Sequence, residues 1–361
     1  MRSHPSPSPP ARASASLCLC ASVVALLCVA AADPVEPSQR TVSALGQDAV
    51  VVDARTETVI RGALKYLAAQ QNANGSWDTG SGESYEVAMT GYVLIAFLTA
   101  GQLPDEGEYG RHVTNGLNFL LNSVKGDGTF ASTGGHYMYG HGIATIALAE
   151  LYGQTKDARI RPKLEHAVRV IISSQNSRGG WRYQPRVSDD DISVSVLQVV
   201  ALRAAKNAGL EVPQATIDRA VKYIRSCHHR NGGFNYQPGC GDPGFARSAA
   251  AIYSLQVCGQ YDDPLVKLGS EYIQGRWEDR QWFTYGHFYA APAQYMIGGE
   301  TWRSWYGKMR DKLVPAAETQ GDLVHWEPMF DQERGTGPVY CTAVYTMILA
   351  MPYHYLPLYQ R

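Results

Sequence analysis

Charge is what this chain has least of. Of 361 residues only 18% are charged, and 32 Lys and Arg nearly balance 33 Asp and Glu, for a net charge of −1. No basic stripe is visible, so the electrostatic footprint that nucleic acid demands is missing, and nucleic-acid binding is excluded. Long apolar runs are as scarce. The run at 17–30 has 14 residues, short of the roughly 20 that a membrane helix needs, so no transmembrane span is expected in the mature chain. Cysteine is sparse, and its spacing matches neither a zinc finger nor a haem-attachment motif.

That short run reads as an address. Arg2 and Arg12 flank a Ser/Pro-rich start, and Ala30-Ala31-Ala32 before Asp33 fits a small-residue cleavage site. A lipid anchor is ruled out because Leu17, Leu19 and Leu27, which precede Cys18, Cys20 and Cys28, are not small. Residues 1–32 are expected to be a signal peptide, 33–59 a proline-containing lead-in, and 60–361 the folded domain, exported to a periplasmic or extracellular location. Cys227, Cys240, Cys258 and Cys341 would remain. They admit two readings: a Cys227–Cys240 disulfide in an oxidising compartment, or free thiols.

What the chain has in quantity is hydrophobic residues, 45% in all, and a repeat. Helix-like stretches end six times in an aromatic: Trp77, Phe130, Trp181, Phe234, Trp282 and Trp326, separated by 53, 51, 53, 48 and 44 residues. Such a period marks units that bury their apolar faces against neighbours. The third copy reads Val170-Ile171…Gln175…Gly179-Gly180-Trp181. The first, second and fourth keep that spacing; the fifth, at Gln281-Trp282, is one residue short and lacks the glycine. Within a unit, Leu64 and Leu67 recur at helical spacing, which predicts an amphipathic helix. The glycine is expected to end that helix in a left-handed conformation, with the aromatic covering its carbonyls. A second, more apolar helix should follow in each unit, at 90–98, 142–148, 192–202, 246–255, 288–296 and 342–349. The expectation is an all-α fold of about six helical hairpins, with an outer and an inner layer, closed into a ring or open as a solenoid.

The repeat resembles the QW repeat of squalene cyclases and the related repeats of protein prenyltransferase beta subunits, from about Ile60 to the C-terminus. That resemblance implies an α/α toroid. Trp302-Arg303-Ser304-Trp305-Tyr306 and the Tyr/Leu-rich C-terminus are similar to exported bacterial proteins described only by such repeats. The prolines Pro352 and Pro357 should stop the last helix and let the tail dock on the ring.

In such a ring the loops entering the inner helices share one mouth. Glu86, His136, Tyr137, Tyr139, His141, Arg247, Tyr285, His287, Tyr289 and Tyr340 are candidates to line it. Ser188-Asp189-Asp190-Asp191 is similar to the Asp-x-Asp-Asp of class II terpene cyclases, with Ser188 in place of the first aspartate. The resemblance makes Asp190 the proton donor and Asp189 and Asp191 its neighbours, since alkene protonation needs a carboxyl kept neutral. The plain alternative is an acidic helix start capped by Asp191. The prenyltransferases use an Asp-x-Cys pair and a later His on zinc; here Cys240-Gly241-Asp242 carries those types reversed, with His287 beyond. The alternative there is a Gly/Pro-rich turn and no cofactor. Thioester domains of the same toroid carry Gly-Cys-Gly-Glu-Gln, but Gly239-Cys240-Gly241-Asp242-Pro243 lacks the glutamine that supplies the acyl group. A glycosidase or lyase would want carboxylates paired across the mouth, such as Glu86 and Asp190. The functional expectation is an exported toroid that binds an apolar or isoprenoid-like small molecule, or a protein or glycan, at the ring mouth. The alternative is an isoprenoid-type enzyme using Asp190 or a Cys240/Asp242/His287 metal.

Overall fold

In a computed structural model of the chain, residues 50–79, 85–131 and 135–359 are described, excepting the side chain of Asp331. The expected signal peptide and most of the lead-in lie outside them. The outer helices are α1 (Ala54–Ala69), α3 (Gly110–Ser123), α5 (Ile160–Ser174), α7 (Gln214–Ser226), α9 (Pro264–Gln274) and α11 (Gly299–Ala316). The inner ones are α2 (Glu86–Thr99), α4 (Tyr137–Thr155), α6 (Ile192–Asn207), α8 (Phe245–Val257), α10 (Phe283–Ile297) and α12 (Gly337–Ala350). All six expected apolar runs fall within these inner helices. The first helix starts at Ala54, ahead of residue 60, because Asp53 caps it by accepting the Thr56 amide at 2.8 Å.

Burial divides the layers. The outer α1 buries the stripe Ile60, Ala63, Leu64 and Leu67, whereas the inner α6 is buried continuously from Ile192 to Leu202. Successive inner helices pack on one another, and α12 packs back on α2. The ring is therefore closed; the open solenoid is not formed.

The repeat turn differs from expectation in one respect. Helix α5 ends at Ser174, and Gly179 lies beyond it in a tight turn where its amide donates to the Asn176 carbonyl at 3.1 Å. With φ near +96°, it runs against the next outer helix, where an added Cβ would strike the Arg219 carbonyl. Left-handed glycine thus shapes the contact between units instead of terminating the helix. Gln175 Nε2 spans the same joint, donating to the carbonyls of Gly179 (3.0 Å) and Thr216 (2.9 Å). The aromatic behaves as expected: Trp181 Nε1 donates to the Ile171 carbonyl and Trp326 Nε1 to the Leu313 carbonyl, each at 2.8 Å, and Trp77 Nε1 to the Leu67 carbonyl at 2.6 Å. A hydroxyl on the following inner helix accepts the aromatic's own amide, Thr90 for Trp77, Ser195 for Trp181, Ser248 for Phe234 and Thr342 for Trp326.

Units five and six depart from the pattern. Trp282 is 49% exposed with φ +54°, and Phe283 fills the buried place instead. The sixth turn is a short antiparallel hairpin, β1 (Glu318–Gln320) and β2 (Leu323–His325), with Gly321 left-handed at its tip. The tail docks as expected, with Leu356, Leu358 and Tyr359 buried and Pro357–Tyr359 packed on α6 and α10. Among the described residues all four cysteines are free thiols, Cys227 and Cys341 buried and Cys240 exposed. No described helix is long and apolar enough to cross a membrane.

Candidate functional site

The N-terminal ends of the inner helices α4, α6, α8, α10 and α12 surround a cavity of about 490 Å³, within the ordinary range for small-molecule sites. Helix α4 contributes His136 from its cap and Tyr139 from its first turn, α6 contributes Ser193, and α12 contributes Tyr340. The start of α8 supplies Gly244, Phe245, Ala246 and Arg247; that of α10 supplies Gln281, Trp282 and Tyr285. Tyr183 and Tyr236 enter from the repeat turns, and Glu333 and Thr336 from a 3₁₀ helix, Asp331–Thr336. Seven of these side chains are Tyr, Phe or Trp, so the wall is largely ring faces with polar tips.

The tips are tied together behind those faces. Tyr139 Oη lies 2.6 Å from Ser193 Oγ, and Tyr285 Oη donates to the Ser193 carbonyl at 2.9 Å. Burial pushes the phenols of Tyr139, Tyr285 and Tyr340 well above their usual range, so they stay neutral. Arg182 Nη1 joins Asp191 Oδ2 and Tyr236 Oη, each at 2.7 Å, and its guanidinium lies 4.3 Å from the Tyr183 ring. Asp191 is the N-cap of α6, its Oδ1 accepting the Val194 amide at 2.9 Å and the Ser193 hydroxyl.

The remaining expected residues are placed as follows. Asp190 does not line the cavity. It is buried under the repeat turn, where Oδ2 accepts from Asn176 Nδ2 at 2.6 Å and Arg178 Nε at 2.7 Å. Asp189 is half exposed and ion-paired with Arg182 at 3.2 Å and Arg178 at 3.6 Å. Arg178 and Arg182 thus tie this acidic run into the turn that precedes it, and Asp190 points its carboxylate at Arg178 and not at the cavity. Glu86 is likewise held in its own turn, accepting from Ser76 Oγ at 2.7 Å and Asn74 Nδ2 at 3.1 Å. A Glu86–Asp190 pair across the mouth is therefore not assembled.

Of the ten candidate mouth residues, five line the cavity: His136, Tyr139, Arg247, Tyr285 and Tyr340. His287 and Tyr289 do not; both are fully buried within the helical layer. His287 Nε2 lies 2.9 Å from the Trp277 carbonyl, and burial pushes its pKa down to about 3. His141 is similar, with Nε2 at 3.0 Å from the Ala167 carbonyl and a pKa pushed down to about 4. Both are neutral core imidazoles that tie inner to outer elements. Cys240 and Asp242 are exposed in their turn, while His287 is fully buried. Among the described residues no group of three His, Cys, Asp or Glu is arranged to hold a metal ion.

Sequence reasoning missed Tyr183, Tyr236, Ser193, Gln281, Thr336, Glu333 and the wall position of Trp282. A signal existed for two of them. Tyr183 and Tyr236 each stand two residues beyond a repeat aromatic, and in extended backbone that spacing puts both on one face. Glu333 had no such signal, since it belongs to an irregular segment outside the repeat.

A family model described as a domain of unknown function (DUF6288) matches residues 56–245. A drimenyl diphosphate synthase from Streptomyces showdoensis is 27% identical over 188 residues, covering 51% of this chain and 33% of its own length. The chain thus spans about a third of the curated relatives it matches. A type II terpene cyclase from Scytonema, solved with geranylgeranyl dihydroxybenzoate, superposes with a TM-score of 0.57 at 11% identity, over 84% of this chain and 98% of that one. Cellobiose 2-epimerase from Spirochaeta thermophila does so at 0.63 and 12% identity, over 82% and 95%. The fold is a terpenoid cyclase-like α/α toroid, shared with sugar-handling enzymes.

Proposed function

We propose, for a chain that belongs to the family described as a domain of unknown function (DUF6288), that the cavity binds an apolar, isoprenoid-like small molecule. The observation that carries this reading is the wall itself: seven aromatic side chains around about 490 Å³, with the hydroxyls of Tyr139, Tyr183, Tyr236 and Tyr285 engaged by protein partners. Ring faces whose polar tips are already satisfied favour apolar contact over hydrogen bonding to a ligand. The likeness to proteins named drimenyl diphosphate synthase supports the same class of ligand. A glycan at the mouth is the second reading, supported by the epimerase toroid and by Trp282, an exposed ring on which a sugar could stack.

The proposal assigns binding, not alkene protonation by Asp190, whose carboxylate is ion-paired away from the cavity. Calorimetric titration with a C15 prenyl alcohol should show saturable binding, and Tyr285→Ala should weaken it by about tenfold. Asp190→Asn should leave that affinity unchanged. Saturable binding of a cello-oligosaccharide with none of the prenyl alcohol would replace this reading with the glycan one. Export belongs to the same proposal: secreted material should begin near Asp33 when its N-terminus is sequenced.

A further inference from the structure

Two charged side chains on the cavity wall have no protein partner of opposite sign. Glu333 is 1% exposed and forms no ion pair among the described residues. Its carboxylate accepts the Thr284 amide at 2.7 Å and the Thr284 hydroxyl at 2.8 Å. Burial raises the pKa of this carboxyl, an effect that the hydrogen bonds from Thr284 and the Tyr285 amide oppose. A cation beside it would relieve that burial cost.

Arg247 makes neither a hydrogen bond nor an ion pair among the described residues. It stands in the first turn of α8, at the positive pole of that helix, where a cation is disfavoured. Its guanidinium folds over Gly244, so closely that a Cβ there would lie 3.0 Å from Nε and Nη2. A buried acid and an unanswered base therefore share one cavity without touching each other. A lone ammonium would leave Arg247 as a like charge nearby, and a lone oxyanion would leave Glu333 so; one ligand carrying both answers both.

Resting on the reading that this cavity holds a small apolar molecule, we propose that its ligand is an amphiphile with a dipolar head. The head's ammonium lies at Glu333 among the rings of Trp282, Tyr285 and Tyr340, and its oxyanion at Arg247. Aromatic faces attract ammonium groups through their quadrupoles, and a guanidinium pairs with oxyanions through two parallel N–H donors.

The test holds the tail constant and varies the head. Octylphosphocholine, octyltrimethylammonium, octyl phosphate and octanol are each titrated into the full-length mature protein, below their micelle concentrations, by calorimetry. The zwitterion should bind about tenfold more tightly than any of the other three. Arg247→Gln should abolish its advantage over octyltrimethylammonium, and Glu333→Gln its advantage over octyl phosphate. Because Glu333 also supports the start of α10, the Arg247→Gln arm stands by itself if the Glu333 variant fails to fold. Octanol binding as tightly as octylphosphocholine overturns the dipolar head and leaves the apolar-ligand reading intact. If none of the four binds, both readings fall.

Discussion

A methyl group added at Gly179 tests the joint between units. Its φ of +96° disfavours any side chain, and the Arg219 carbonyl occupies the space a Cβ would need. Gly179→Ala should cost about 1–3 kcal/mol in urea unfolding, and an unchanged midpoint would show that this contact does not form. The glycine was legible from its period, but its contact was not. The carbonyl it meets lies forty residues along the chain, on the next outer helix, and local pattern does not report such distant neighbours. Glu150 gives a second residue-scale test, on the tail side of the ring. It is 3% exposed, Oε2 has no hydrogen-bond partner, and burial pushes its pKa up to about 8, partly opposed by the Leu358 amide. The folded state therefore holds this proton more tightly than the unfolded chain. Its favourable contribution is complete below the ordinary value of 4.5 and is lost as pH rises towards about 8. Glu150→Gln should stabilise the protein more near pH 8 than near pH 5, read as the difference in Tm between variant and parent. An equal difference at both would mean that the carboxyl is solvated.

At the scale of elements, the start of α10 shows why part of the site escaped the sequence. The period pointed to Trp282 as the fifth core aromatic, yet Phe283 occupies that place and Trp282 turns out to the cavity. Unit five lacks the repeat glycine, so Trp282 itself takes the left-handed conformation, and the phase slips by one residue. A bulky residue held there costs roughly 1–2 kcal/mol, and such outliers gather at binding sites. Trp282→Gly should therefore leave stability equal or improve it by up to about 1 kcal/mol while weakening ligand binding. Phe283→Ala should instead destabilise by about 3–5 kcal/mol. If thermal melts rank the two variants the other way round, the assignment of core and mouth is reversed. The acidic run is the converse case. Asp191 as N-cap was among the sequence readings, whereas the arginines that bind Asp189 and Asp190, Arg178 and Arg182, sit in the turn before them and carried no recognised pattern.

For the whole molecule, the fold was the most legible feature because it is written six times. Propensity at any one hairpin is weak, but a spacing of apolar helix, glycine and aromatic kept in register over the first four units averages the noise away. Closure was not written in any unit; it appears where α12 packs on α2. Removing residues 337–361 would delete α12 and the tail together, leaving α2 and α10 each without a neighbour. That truncation should lose cooperative unfolding of the entire ring rather than of one hairpin, seen as a broad transition in circular dichroism. A sharp transition at nearly the parental temperature would mean that the units are independent.

Six rods of equal girth, each touching the next around a common axis, enclose a gap as wide as one more rod, here roughly 10 Å. In this ring aromatic side chains take up part of that gap, the Tyr92 and Phe288 rings of α2 and α10 meeting 5.2 Å apart across it, and the cavity is what they leave at one end. The number of hairpins sets the outer limit of that space, and the rings that reach inward set how much of it stays open. Smaller side chains at the wall can enlarge the cavity up to that limit, and passing the limit would take the gain of a whole repeat.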